Sequence, residues 1–203
     1  MEKNTARLEA FSDGIFGVAI TLLAIEIGIK EYEGANNANL WQKIVENWAE
    51  YFTYFNSFAT VLLIWMGHRK IFDRIWKANH WVILLNGLLL LFVVLFPFPT
   101  KTVGNFIGTE AVNTAVAFYA GYTGLIVLCM LFLNLSIIKN PKSIINSDKN
   151  LPWFKNQIKQ QLMAILIYAI AAIVAFYSPT IALAITFLMW VFWAIITKDK
   201  DEE

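Results

Sequence analysis

A few side chains able to do chemistry stand within or beside long apolar runs. Arg7, Ser12 and Asp13 precede the run GIFGVAITLLAI, and Glu26 follows it. His68 closes a second run, and Asn86 sits inside a third, WVILLNGLLLL. An ionisable group at membrane depth costs on the order of 3 kcal/mol, so it has a partner or lines water. A buried amide likewise needs a hydrogen-bond partner. The second run ends on the side of the membrane where the third begins. His68 and Asn86 therefore share a depth with the start of the first run. A Ser12/Asp13–His68–Asn86 network, with Arg7 nearby, would lock the first helix to the next two. Taken singly, each residue also reads as an interface residue among lipid headgroups. Glu26 has two readings: it snorkels, or it faces a water-filled outer vestibule and attracts cations.

Other chemistry is missing from the pattern. His68 and His80 have no metal-ligating residue three or four positions on. No glycine-rich phosphate loop and no nucleophile elbow occur, so the chain reads as neither an enzyme nor a cofactor protein. Cys129 is the single cysteine, set in LIVLCMLFL, which excludes an intrachain disulfide and suits a buried thiol. Of 203 residues 58% are hydrophobic and 15% charged, where soluble domains carry about 25% charge. This is the composition of an integral membrane protein, with the lipid bilayer as its partner. A net charge of +1 offers no field for nucleic acid. The N-terminus lacks the pattern of a cleavable signal, so the first helix is expected in the mature protein.

The elements that hold these residues are apolar helices. Residues 7–29 as helix span roughly 33 Å, against a hydrocarbon core of about 30 Å. Gly14, Val18, Thr21, Leu22, Ile25 and Ile29 share one face of that helix. Gly14 and Gly17 permit close helix contact. Six spans are expected, at about 11–29, 51–67, 81–96, 112–138, 162–176 and 181–196. Residues 40–48 suit a short interfacial helix with Trp41 and Trp48 at headgroup depth. Pro97 and Pro99 are expected to stop the third span, and Ser178-Pro179 to turn the fifth into the sixth. Residues 151–161 read as an amphipathic lead into the fifth. The fold class is all-α, one six-helix membrane domain over 1–203.

Lysine and arginine positions orient the bundle. Lys3, Arg7, Arg69, Lys70, Arg74, Lys77, Lys139, Lys142, Lys149, Lys155, Lys159, Lys198 and Lys200 fall on one side. Only Lys30, Lys43 and Lys101 fall on the other. Both termini are therefore expected in the cytoplasm.

The string RLEAFSDGIFGVAITLLAIEI resembles the first helix of the transmembrane protein 175 family, the endolysosomal-type potassium channels and their bacterial relatives. The resemblance rests on Arg7, then Phe11-Ser12-Asp13, then an apolar run with Thr21 at its middle. It implies a single-repeat bacterial member in the cell inner membrane, assembled as a homotetramer whose four first helices surround a pore. Val18, Leu22 and Ile25 would then form apolar rings at the constriction. Thr21 would set a weak preference for potassium over sodium among monovalent cations. Arg7, Phe11, Ser12, Asp13, His68 and Asn86 would brace the pore helix from behind, with Glu26 in an outer vestibule. Potassium would be the permeant ion, with no cofactor. No Thr-Val-Gly-Tyr-Gly carbonyl filter is present. The rival readings are a secondary transporter, which usually shows paired broken helices, and a non-conducting membrane scaffold.

Overall fold

The structure, a computed structural model, describes residues 4–25, 27–28 and 36–196. Glu26, Glu31, Glu33 and Ile29 lie outside the described residues. The described chain is helical: α1 (Ala6–Ile25), α2 (Asn37–Glu46), α3 (Trp48–Asp73), α4 (His80–Val94), α5 (Pro97–Phe106), α6 (Val112–Ile138), α7 (Ser147–Val174) and α8 (Pro179–Ile196). A 3-10 turn at Pro141–Ser143 adds to them. Among the described residues four stretches are long and apolar enough to cross a membrane: α1, α4 taken with α5, α6 and α7. The apolar α8 is shorter.

Several boundaries differ from the sequence expectation, each for a local reason. α1 starts earlier than residue 11 and ends at Ile25, four residues short of the expected end. The span expected at 51–67 is the middle of α3, whose 26 residues include Asn56, Ser57, Thr60 and His68, all buried. These polar groups lower its hydropathy, yet they are buried within the helix bundle. The third span's first helix does stop ahead of Pro97 and Pro99, but the chain resumes as helix at once. α4 stops at Val94, and Pro97 opens α5 from its first turn, where a missing N–H costs nothing. The short helix expected at residues 40–48 is α2, Asn37–Glu46, and Trp48 belongs to the start of α3. The amphipathic 151–161 stretch and the fifth span are one helix, α7.

α6 is the hub. Fifteen of its residues are buried, among them Tyr119, Thr123, Gly124, Cys129 and Asn134. A methyl group on Gly124 would lie 3.1 Å from Cβ of Tyr168, so glycine is what lets α6 and α7 pack this closely. At the start of α4, the Asn79 side chain accepts a hydrogen bond from the Val82 N–H at 2.9 Å, a helix cap.

One end of the bundle is laced together. The Asn4 N–H donates to the Trp76 carbonyl at 3.0 Å, and the Trp76 N–H donates to Ser143 O at 3.1 Å. The Ile145 N–H donates to Arg74 O at 2.9 Å, and Ile75 and Ile144 form an antiparallel bridge. The Arg74 guanidinium stacks 4.1 Å from the Trp153 ring. The N-terminus, the α3–α4 loop and the α6–α7 loop thus meet at one end. At the opposite end the Asn113 amide donates to Phe176 O at 2.9 Å. Gly108 turns the chain there with φ 84°, a left-handed conformation that glycine adopts without strain.

Candidate functional site: the two faces of the first helix

α1 has a held face and an open face. Ser12, Phe16, Ala19 and Leu23, spaced by four and three, are its buried residues. They pack against α3 and α4. Along this face runs a chain of three polar side chains from three helices. Ser12 Oγ donates to Leu8 O at 2.8 Å and accepts from Asn86 Nδ2 at 2.9 Å. Asn86 Oδ1 lies 2.7 Å from His68 Nε2. With a carbonyl oxygen opposite, Nε2 is the nitrogen that carries hydrogen. All three side chains are buried. The His68 ring is held between Phe16, at a centroid distance of 5.3 Å, and Phe72, stacked at 4.5 Å. A three-helix tie of this kind leaves the amide satisfied on both its groups, which is what makes Asn86 tolerable in an apolar core.

The other residues grouped with this network in sequence lie elsewhere. Asp13 is exposed, because one step along a helix turns the side chain by about 100° from Ser12. Its carboxylate accepts from the Trp65 indole N–H at 2.8 Å. Arg7 is exposed, and Phe11 is 59% exposed. The tie to α3 therefore has two parts: a buried Ser12–Asn86–His68 chain and an outlying Asp13–Trp65 bond. Trp65 escaped sequence reasoning because an indole at the edge of an apolar run looks like any interfacial aromatic.

The open face carries the residues expected at the constriction. Val18 is 51% and Ile25 is 75% exposed, Thr21 is exposed and Leu22 is half-buried. Gly14 and Gly17 are exposed as well, and a methyl group on either would touch nothing within 4 Å. Thr21 Oγ1 donates back to Val18 O at 2.8 Å. That uses the hydroxyl hydrogen inside the helix and leaves the oxygen lone pairs outward, the right polarity to face a cation.

A second buried polar cluster joins α3, α5 and α6. Asn56 Nδ2 donates to the Tyr119 hydroxyl at 2.9 Å, Ser57 Oγ lies 3.2 Å from that hydroxyl, and Thr100 Oγ1 donates to Ser57 Oγ at 2.8 Å. Its signal in sequence was the run of Asn56, Ser57 and Thr60 within one apolar segment, spaced for one helix face. Among the described residues no group of three or more His, Cys, Asp or Glu is placed to hold a metal ion.

Residues 7–97 match the family model of the endosomal/lysosomal potassium channel TMEM175. The match covers α1, α3 and α4, and with them Ser12, His68 and Asn86. A Chamaesiphon minutus protein named a potassium channel is 28% identical over 96% of this chain and 95% of its own length. The crystal structure of a lysosomal potassium-selective channel TMEM175 homologue from Chamaesiphon minutus superposes with a TM-score of 0.85 at 27% identity, covering 96% of this chain and 98% of that one. The bovine endosomal/lysosomal proton channel TMEM175 is 37% identical over 43% of this chain and 19% of its own length.

Proposed function

Because the chain belongs to the TMEM175 family, as a single-repeat member, we propose that four copies surround an axial pore and pass potassium down its gradient through a prokaryotic cell membrane. Val18, Leu22 and Ile25 form the apolar constriction, and Thr21 sets a modest preference for potassium over sodium. Both termini are cytoplasmic and the chain crosses six times, with α3 and α8 as the spans whose composition or length is least typical.

The observation that carries this reading is the division of α1. One face is packed and hydrogen-bonded to α3 and α4; on the other Gly14, Val18, Thr21 and Ile25 are exposed and Leu22 is half-buried, and a methyl group on Gly14 or Gly17 would meet nothing within 4 Å among the described residues. A helix fixed from behind and bare in front is suited to wall a lumen between copies. One α1 cannot enclose a pore, so the reading requires assembly. An apolar ring closes such a lumen by contact or by dewetting. A ring of threonine oxygens replaces only part of an ion's water shell, which favours weak selectivity. The laced end gathers Arg74, Lys142 and the segment from Asn4, and so supports placing the basic loops on one side.

Reversal potentials under a potassium/sodium gradient test the reading. Wild type should show a potassium preference. Thr21→Val keeps the shape and removes the oxygen, so its reversal potential should move toward the non-selective value. Leu22→Ala should raise the conductance. Protein that carries no current in either form, or Thr21→Val with an unchanged reversal potential, would defeat the pore or the selectivity assignment respectively.

A further inference from the structure

A cavity of about 60 Å³ lies between α3, α6, α7 and α8, and no described residue of α1 lines it. Its wall includes Thr60 and Lys70 of α3, Thr123 of α6, Trp153 and Gln161 of α7 and Trp190 of α8. A cavity needs about 10–15 Å³ to hold one water, and one that binds benzene measures about 150 Å³. This one therefore takes a few water-sized species and excludes a ring.

The wall has donors to spare. Gln161 is only 2% exposed. Its side-chain oxygen accepts from Asn134 Nδ2 at 3.1 Å, and its NH2 group makes no hydrogen bond with the described residues. The indole N–H of Trp190 is buried and has no partner among the described residues either. A buried donor left unmet is costly, so an acceptor belongs beside it. The threonines do not supply a donor of their own. Thr60 Oγ1 donates to Asn56 O at 2.8 Å and Thr123 Oγ1 to Tyr119 O at 2.9 Å, each within its own helix, which leaves only lone pairs. Lys70 is the one charged residue lining the cavity among the described residues, and no Asp or Glu joins it there. Helical side chains lean toward the N-terminal end, so Lys70 leans back along α3 in the direction of Thr60. The Arg74 guanidinium, 4.1 Å over the Trp153 ring, adds a second positive charge behind the wall. Asp73, in the same turn as Lys70, is exposed and lies 3.8 Å from Arg69.

We propose that this cavity binds a chloride-sized monovalent anion, held by the Gln161 amide and the Trp190 indole N–H and balanced by the Lys70 ammonium. An ion taken out of water needs an opposite charge and direct hydrogen bonds, and this wall offers both. Water beside the anion gives one hydrogen to it and the other to the lone pairs of Thr60 or Thr123. A small cation is the other guest that hydroxyl lone pairs attract. The Lys70 ammonium repels it, and the unmet N–H groups offer it nothing. The bound anion joins the four helices that meet at the cavity, so its effect is on the stability of the subunit. The site stands whether or not α1 walls a pore.

The test uses the whole chain, purified in detergent, with chloride and bromide as the probes. Wild type is melted in potassium chloride, potassium bromide and potassium gluconate at equal ionic strength. An anion at about ten times its dissociation constant shifts the folding equilibrium about ten-fold, which raises melting by about 2–4 °C for a chain of this size. Chloride and bromide should give that rise over gluconate, which is too large to enter. Lys70→Met and Gln161→Leu should each abolish the rise, whereas Lys142→Met, outside the cavity, should keep it. The readout is the difference between salts, so a lower absolute melting temperature in Gln161→Leu, which also loses the bond to Asn134, does not mimic the result. If that variant is not monodisperse, Lys70→Met carries the test. Crystals grown in bromide should show an anomalous peak in the cavity against Gln161. Equal melting of wild type in all three salts overturns the proposal, as does a rise retained in both variants or bromide found only outside the cavity. None of these readings measures flux, so their failure leaves the pore reading where it was, and a failed pore leaves the anion site.

Discussion

α6 and α1 are both apolar helices that look alike on a hydropathy scale, yet they are used in opposite ways. In the most apolar window of α6, 61% of the residues are buried inside the chain; in that of α1, 22% are. α6 touches neighbours nearly all round and supplies Tyr119, Gly124 and Asn134 to the interior. α1 is packed on one stripe only, although it carries the most distinctive motif in the sequence. In lipid, apolarity alone does not drive helices together, so burial has to come from close packing and hydrogen bonds. The contrast therefore separates a helix that organises the interior of the chain from one that keeps an open face, the face assigned above to the proposed pore.

The comparison is broken most strongly at α6. Gly124→Leu would force side-chain atoms into Tyr168, which a methyl group already approaches to 3.1 Å. Overpacking of this kind costs about 1–3 kcal/mol or more. The expected outcome is loss of monodisperse protein in size-exclusion chromatography. A well-behaved Gly124→Leu protein would mean that α6 and α7 are not locked together as described.

A smaller effect is expected on the held face of α1. Asn86→Leu removes the amide that satisfies both Ser12 and His68. Leaving a buried polar group unpaired costs about 1–3 kcal/mol. The melting temperature in detergent should fall clearly, and Ser12→Ala should then add little on top, because the two residues share one hydrogen bond. Full additivity of the two variants would show that they are not coupled.

The open face should respond least. Val18→Ala and Asp13→Ala touch exposed positions, where surface changes usually stay within about 0.5 kcal/mol. Val18→Ala should leave melting of the solubilised protein almost unaltered while raising flux. Asp13→Ala loses one partly solvated bond to Trp65 and should melt slightly below wild type, well above Asn86→Leu. If Asp13→Ala proved as damaging as Asn86→Leu, the carboxylate would belong to the buried tie after all.

Much of this was legible in the sequence, and the reason is visible residue by residue. Asn86 and His68 announced themselves because amides and imidazoles do not sit in apolar runs without partners. The stretch 112–138 matches α6 at both ends because no polar residue interrupts it badly. The partner of Asp13 was not legible, since placing it required knowing which way one helical step turns relative to α3. The true extent of α3 was hidden because Asn56, Ser57 and Thr60 read as polarity, when the Asn56 amide nitrogen and Ser57 bond to Tyr119 and Thr100 from helices far along the chain and Thr60 bonds back to the Asn56 carbonyl. Prolines 97 and 99 were read as a stop, and α4 does end before them; what was not legible is that they also open the next helix. Local rules mark a break in the helix; only packing decides whether the chain resumes.

The Ser12–Asn86 bond also sets an order of events during synthesis. Its two ends are 74 residues apart. At roughly 5–20 residues per second, the ribosome reaches Asn86 about 4–15 s after Ser12. Throughout that interval Ser12 can turn its hydroxyl only to the carbonyl of Leu8, and the first helix waits in the bilayer unanchored. A subunit with a fixed first helix exists only after the α4 segment has been made and inserted. Any contact that needs the first helix held in place is thereby deferred until α4, which ends at Val94, has been made.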